Sequence, residues 1–556
     1  MMQLLTLWYL QEKGFFNNDT SYFITKFKEL KQKKLSGGFE GYYQFLAYFF
    51  DKIKDGDTPY YKDATVGEVV IVGPAIFLDS GDEEAITIPD KCFYKDGMTE
   101  VLINTAPKKI SQDVPLFNLL ESRDWVEGDI DEFVLGALYE KLMTEDVRKK
   151  TGSYYTPEEI TKYICKNTIE PYLVDRVNEK FNTNFESPDQ IIESSDKEIL
   201  RYLFEQLKEI KVLDPAVGSA HFLESAINVL LAIYEKIWEK AKESGLRKGL
   251  EIIAADGQGK IKPINILEIG DAEQLRMLVK FFIILSRNVY GVDINPSAIN
   301  IAKARLFLTI AKHFKAGKYF IRFPNVHFNL RDGNSLIGYV KKGEEKEEVK
   351  TEEGQLSLDF FIKEKEATYV VESIKVVSEL RSYLVDTAKT LGISGDILKE
   401  VEELNRILSK KEIEWGDFEK VLRVKEKLIR VLIASLNSQY ARPLNELVNR
   451  ITELFNEKLD EKFAEEHSIK PEDLKEIKTF HWIFEFPEVF LDRGGFDVMV
   501  GNPPYVSYGL RGVGKLTDFE KELFKDLFNS AEYKIATYPL FMERSIELSR
   551  EGGIVA

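Results

Sequence analysis

Cysteine is nearly absent from this sequence: Cys92 and Cys165 are the two it has in 556 residues. So low a count argues against a disulfide framework and fits a reducing, cytoplasmic setting. Long apolar runs are lacking too, and without one of about 20 residues no helix can span a bilayer, so no membrane partner is expected. The opening segment, from Met1 through Leu4, Trp8 and Leu10, has no basic leader and soon gives way to Gln11, Glu12 and Lys13. It is expected to form a buried helix rather than a signal peptide. Positive charge is in deficit, with 76 Lys and Arg against 93 Asp and Glu, a net of −17. A phosphate backbone as partner needs a positive surface. That surface would have to come from local clusters such as Lys31, Lys33 and Lys34, or Arg511 and Lys515, or from a part outside this chain. The Lys31 to Lys34 cluster reads more simply as a solvated helix face.

What is present is 44% apolar residues, enough for substantial cores, in a length that fits about three or four domain-sized units. The most informative segment is Asn502-Pro503-Pro504-Tyr505, which ends the apolar run Phe496 to Gly501. Two prolines stiffen the backbone just past an expected strand. They hold a carboxamide, a main-chain carbonyl and an aromatic ring toward one pocket. Asn502 can accept through its side-chain oxygen and Pro503 through its main-chain oxygen, while Tyr505 offers a face on which a heterocycle can stack. This arrangement suits a planar amino group and points to methyl transfer to nitrogen, although Asn-Pro-Pro also occurs as an ordinary turn.

Three further segments share a pattern. Val212-Leu213-Asp214-Pro215 is a short apolar strand closing in an acid, followed by a small-residue turn at Gly218, Ser219 and Ala220 and then a helical stretch. Such a turn lets main-chain amides approach a ligand closely. A second strand ends at Asp293, followed by Ile294 and a helix around Ala298 to Leu308, the arrangement in which a carboxylate binds ribose hydroxyls. A third apolar stretch closes at Asp332. Strand-end acids in succession, followed by the Asn502 strand, describe one crevice at the carboxyl ends of parallel strands.

These motifs, with the Arg148 to Pro157 segment that contains Gly152, Ser153, Tyr154, Tyr155 and Thr156, resemble the N6-adenine DNA methyltransferases of type IIG restriction-modification and phage-exclusion systems. The resemblance covers nearly the whole chain. It implies an α/β fold with a Rossmann-like class I methyltransferase sheet, S-adenosylmethionine as cofactor and double-stranded DNA as substrate. Tyr155 and Thr156 would lie beside the methionine end, Asp214, Pro215 and Gly218 around its amino acid portion, Asp293 and Ile294 at the ribose, and Asp332 at the adenine amino group. The target adenine would leave the duplex, stack on Tyr505 and present its amino group to Asn502 and Pro503, a transfer that calls for no metal. One departure is Ala220, where relatives of this kind usually have glycine; a positive φ there would strain alanine. Thr156 and Glu159 are expected to form a capping box, with Pro157 at the first helical position.

The implied organisation is a mostly helical connector over residues 1–135 with a β segment around Gly67 to Phe77, a cofactor-binding half over 136–342, a linker and helical insertion over 343–478, and a catalytic half over 479–556. The last segment reads as a helix from Ala536 through Leu548 and a strand opening at Gly552, so the sheet looks incomplete at its carboxyl end and a downstream target-recognition domain or subunit is an expected partner. Two resemblances to other chemistry are weaker. Glu29-Leu30-Lys31 with Asp19 spells part of a nuclease site, but the apolar spacing from Tyr22 to Leu30 is helical. Gly509 to Lys515 nearly spells a phosphate-binding loop, but Leu516 stands where a hydroxyl is needed. Other readings of the catalytic segment are cytosine N4 methylation, methylation of a glutamine amide in release factors, and a non-catalytic cofactor-binding or assembly fragment. Neither cysteine follows a proline, so the nucleophile that attacks cytosine C5 has no candidate.

Overall fold

The computed structural model describes residues 2–54, 60–73, 88–103, 114–122, 156–246, 248–255, 261–285, 288–321, 329–341, 381–393, 395–408, 410, 413–435, 440–470, 473–474, 477–506, 516–531 and 535–556. The amino-terminal part is helical, with helices Met2–Glu12, Tyr22–Lys31 and Tyr42–Lys54 and one antiparallel hairpin of β1 (Tyr60–Asp63) and β2 (Gly67–Val70). It folds because its helices carry aromatic faces: Trp8, Phe16, Tyr22, Phe23, Tyr42 and Phe49 are buried together, many of them edge to face. The expected opening helix is found, with Leu4, Leu5, Leu7, Trp8 and Leu10 buried. The expected β segment starts at Gly67, and residues 74–80 lie outside the described ones. Glu29-Leu30-Lys31 sits on a helix, with Glu29 paired to Lys26 at 2.8 Å, so no hairpin presents it.

The core runs from this part into the sheet layer, their buried residues forming one cluster. Lys13 adds a polar tie, donating to the carbonyls of Ala311 and Phe314 at 3.2 and 3.3 Å and so capping the end of helix Pro296–Ala311.

The sheet is α/β and Rossmann-like. After β3 (Val212–Asp214) comes a peripheral hairpin of β4 (Glu251–Ala255) and β5 (Ile261–Asn265), then β6 (Val289–Asp293), β7 (Leu330–Asp332), β8 (Phe496–Met499) and β9 (Ser549–Val555). Five of these pair in parallel in the order β7-β6-β3-β8-β9. The three central strands, β6, β3 and β8, are buried almost throughout, as expected where helices cover both faces of a parallel sheet. The order reverses direction between β3 and β8. Such a switch point opens a crevice at the carboxyl ends of the strands. Helix His221–Ser244 follows β3, helix Pro296–Ala311 links β6 to β7, and helix Thr537–Leu548 leads into β9, which begins three residues before the expected Gly552.

A second core lies beside the sheet. Helices Ile397–Leu408, Trp415–Ser435 and Ala441–Glu466 pack with Leu336, Ile337 and Tyr339, which follow β7, and with Phe484, Phe524 and Phe541 from the segments flanking β8. The insertion therefore packs on the segments around β8 as well as on itself. Glu485 bolts it down, accepting from Arg331 Nε at 3.0 Å and Asn456 Nδ2 at 2.7 Å. Lys425 nearby donates to the Phe484 carbonyl at 2.6 Å. Burial alone would push the Glu485 carboxyl up, but Lys425, Arg331 and Asn456 hold it below the usual range. Asp497 at the start of β8 is bound in a similar way, by Tyr172, the Lys211 amide, Arg493 and Arg550.

Candidate active site

Asp214 closes β3 and is 1% exposed. One of its oxygens accepts the Ala216 amide at 3.0 Å, which bends the chain away from the strand. The turn after it is stapled to β6 twice: the Val217 amide donates to the Val292 carbonyl at 2.9 Å and the Gly218 amide to Asp293 Oδ2 at 2.9 Å. Gly218 has φ +51° and open space where a Cβ would project, so main chain is exposed there at no steric cost. Ala220 does adopt the left-handed region, φ +66°, as the N-cap of helix His221–Ser244. Ser335 completes the support by donating to the Pro215 carbonyl at 2.6 Å.

Asp293 ends β6 and holds two loops at once, its other oxygen accepting the Asn295 amide at 2.8 Å. Asp332 sits in register beside it at the end of β7, exposed, and Ile294 is exposed next to both. Electrostatically the buried Asp214 and the half-buried Asp293 are both uncomfortable. Burial pushes the Asp214 carboxyl up to about 8, opposed by the Ala216 amide and reinforced by the charge of Asp293. Burial likewise raises Asp293, against the pull of the Asn295 and Gly218 amides.

The Asn502 segment meets this crevice from the other side of β3. The Val500 amide donates to the Leu213 carbonyl at 2.9 Å, and Gly501 lies so close to Asp214 that a Cβ would stand 2.8 Å from its oxygen. Asn502 therefore begins immediately beside the β3 acid. Its Nδ2 donates to Thr156 Oγ1 at 3.1 Å. Pro503 and Pro504 are half-buried, and the Tyr505 ring is 58% exposed. Thr537 fixes the far end: its hydroxyl donates to the Pro504 carbonyl, it accepts the Val506 amide at 3.0 Å, and its own amide donates to the Val506 carbonyl at 2.9 Å. The next residue, Tyr538, stacks on Tyr505 with ring centroids 5.7 Å apart and planes 14° apart.

Residues 287–556 match the family model described as Eco57I restriction-modification methylase. These residues are similar to an Eco57I restriction-modification methylase domain. Over 442 residues the chain is 29% identical to a putative type II restriction enzyme and methyltransferase of Methanocaldococcus jannaschii, covering 74% of this chain and 32% of that protein. The adenine-specific methyltransferase BrxX of Escherichia coli is 27% identical over 29% of this chain and 14% of its own length. The type II restriction enzyme and methyltransferase RM.Eco57I of Escherichia coli is 35% identical over 15% of this chain and 7% of its own. The chain thus spans about a third or less of the length of these relatives. The matched methylase segment begins just before β6, yet β3 with its Asp214 turn, and Thr156, lie upstream of it in sequence and beside it in space.

Of the twelve site residues expected from sequence, the crevice brings together Asp214, Pro215, Gly218, Asp293, Ile294 and Asp332 on one side and Asn502 to Tyr505 on the other, with Thr156 touching Asn502. Tyr155 lies outside the described residues, as do the Gly343 to Gly354 linker and the Gly509 to Lys515 loop. The expected capping box is not formed. Helix Glu158–Phe181 starts one residue later than expected, with Pro157 as N-cap and no side-chain cap, because the Thr156 hydroxyl is engaged by Asn502 instead. Of the basic candidates, Lys31 is paired with Asp90 at 2.6 Å and Arg511 and Lys515 lie outside the described residues. Thr537 and Tyr538 are site residues that sequence reasoning missed, since in sequence they mark only the start of a helix. An aromatic exposed at that position is a weak signal on its own. Among the described residues no helix is long and apolar enough to cross a membrane, and no group of three or more His, Cys, Asp or Glu side chains could hold a metal ion.

Proposed function

We propose that this chain binds S-adenosylmethionine and methylates the exocyclic N6 amino group of an adenine turned out of double-stranded DNA, within a restriction-modification or phage-defence system. The observation that carries the reading is the contact of Gly501 with Asp214, which sets an amide acceptor beside a strand-end acid at the switch point of the sheet. The residues fit the cofactor. Asp214 is a buried acid whose ionised form lacks sufficient donors and would be relieved by a cationic amino group. Gly218 leaves main chain open. Asp293 uses two of about four acceptor positions on its amides, leaving others for ribose hydroxyls, and Ile294 and Asp332 stand exposed for the adenine end. S-adenosylmethionine supplies, when bound, an electrophilic methyl on a sulfonium.

The chain's own part is positional. Tyr505, exposed and planar, takes a base by stacking. Asn502 Oδ1 and the Pro503 carbonyl accept from the two N–H bonds of the amino group, which turns its lone pair outward and stabilises positive charge as it develops on nitrogen. The relative named as adenine-specific supports adenine over cytosine. The test is incubation of the chain with radiolabelled S-adenosylmethionine and duplex DNA followed by nucleoside analysis. Label in N6-methyl-2′-deoxyadenosine is the expected result. Label in N4-methylcytosine, or in protein glutamine alone, would replace the reading. No transfer together with tight cofactor binding would mark a non-catalytic fragment. The connector, insertion and catalytic-half boundaries near 135, 342 and 478, and a target-recognition domain or subunit as partner, belong to the same proposal.

A further inference from the structure

We propose that Thr156 is a positioning residue for the Asn502 carboxamide, holding Nδ2 so that Oδ1 is left to face the methyl-accepting amino group. The inference rests on the reading of Asn502 as the acceptor in a transfer site. A carboxamide presents unlike chemistry at its two ends, an oxygen that accepts and a nitrogen that donates. Rotation that exchanges them is soft, because the terminal torsion is broad and roughly two-fold. Exchanged, the side chain would meet a donor with a donor. A site that draws on the oxygen therefore gains from a partner that accepts from the nitrogen end, as a hydroxyl does when its own O–H is turned elsewhere.

Thr156 Oγ1 is that partner, 3.1 Å from Nδ2 and 346 positions away in sequence. Its mounting is rigid. The following Pro157 restricts the backbone of Thr156, and the Pro157 carbonyl accepts the amides of Ile160 and Thr161 to open helix Glu158–Phe181. That helix start is bolted in turn to helix His221–Ser244 by the Thr161 and Ser225 hydroxyls, 2.7 Å apart. A β-branched side chain is also stiff at χ1. On the opposite side Gly501 rests on Asp214, so the residue before Asn502 cannot swing away. The family resemblance assigns Thr156 to the methionine end of the cofactor, whereas the geometry gives its hydroxyl to the catalytic amide.

The experiment compares the wild-type chain with Thr156→Val, which removes the hydroxyl at nearly constant shape, and Thr156→Ser, which keeps it. Cofactor affinity is read by calorimetry, kcat and KM by methyl transfer to DNA, and the Asn502 side-chain amide by hydrogen exchange of the nitrogen cross-peak that Asn502→Ser removes. Thr156→Val is expected to lower kcat about tenfold, the scale of one lost hydrogen bond, with cofactor affinity and KM unchanged and amide protection lost. Thr156→Ser should restore both. A tenfold loss of cofactor affinity with kcat unchanged would return Thr156 to the cofactor and overturn the proposal. So would an unprotected Asn502 amide in the wild-type chain. A chain that transfers no methyl while this amide is protected would instead overturn the proposed function and leave the bond standing.

Discussion

At the seam between the sheet and the helical insertion, buried Glu485 accepts from Arg331 and Asn456 with Lys425 close by, whereas at the carboxyl ends of the strands the equally buried Asp214 accepts the Ala216 amide and faces another acid, Asp293. The first carboxyl is held below its usual range and the second is pushed up to about 8. Burial is the same; the partners differ. An acid surrounded by its own chain's donors is a structural bolt, and under the proposed function an acid left short of them receives a ligand that brings its own. Asp497, saturated by Tyr172, Lys211, Arg493 and Arg550 at the opposite end of the strands, belongs with Glu485.

The sharpest way to break this comparison is by pH. Asp214 keeps its proton in the folded chain up to about 8, while in the unfolded chain it loses it near the ordinary value of about 4. Between those values the folded state binds the extra proton, so this group makes stability fall as pH rises, by at most about 1.4 kcal/mol per unit, and levels off above pH 8. Asp214→Asn should remove that decline. Its advantage in denaturant melts of the cofactor-free chain should grow from pH 5 to pH 8, while cofactor affinity drops. An advantage that is flat with pH would mean that Asp214 is already ionised.

Glu485 should behave with the opposite sign. Its folded value is lowered, so its stabilisation is complete above the unfolded value and disappears as pH falls through the folded one. Glu485→Gln removes a negative charge that half-buried Arg331 and buried Lys425 both face and should cost about 3 to 5 kcal/mol at neutral pH. Thermal melts check it, and a loss below 1 kcal/mol would reduce this bolt to packing.

Substitutions at the open end should cost function and spare stability. Asn502→Ala is expected to lower turnover on the order of a hundredfold, the effect of losing one preorganised transition-state contact, with melting temperature and cofactor affinity nearly unchanged. Abolished cofactor binding in a folded variant would mean that the two pockets are one. Tyr505→Ala should weaken DNA binding by about 1 to 3 kcal/mol, the worth of stacking one base. Being 58% exposed, that ring contributes little to the fold.

The open end is also the legible one. An apolar run closing in an acid announces itself within four or five letters, so Asp214, Asp293 and Asp332 are readable in the sequence alone, as is the proline-stiffened Asn502 segment. The bolts are not. Glu485 depends on partners 29 and 154 positions away, and Asp497 on Tyr172 at 325. The Thr537 staple on Pro504 spans 33 residues and crosses an interval that is partly outside the described residues. The capping box at Thr156 failed for the same reason in reverse: a sound local rule lost its hydroxyl to a residue 346 positions away.

Ala220 offers the smallest effect, and one that separates backbone strain from packing at the edge of the ligand crevice. Its φ of +66° costs alanine about 1 to 2 kcal/mol that glycine would not bear. Its methyl is fully buried, however, and removing it forfeits about 0.8 kcal/mol of burial, while glycine adds about 0.5 to 1 kcal/mol of unfolded-chain entropy. These terms nearly cancel. Ala220→Gly should therefore change stability by less than about 1 kcal/mol, whereas Ala220→Val, β-branched in a left-handed position, should cost more than the alanine strain itself. A gain above 1 kcal/mol for glycine, measured by urea melts, would show that the turn carries strain that its buried methyl does not repay. A loss of 2 kcal/mol would show that the methyl holds the turn against β6 and that its positive φ is nearly free.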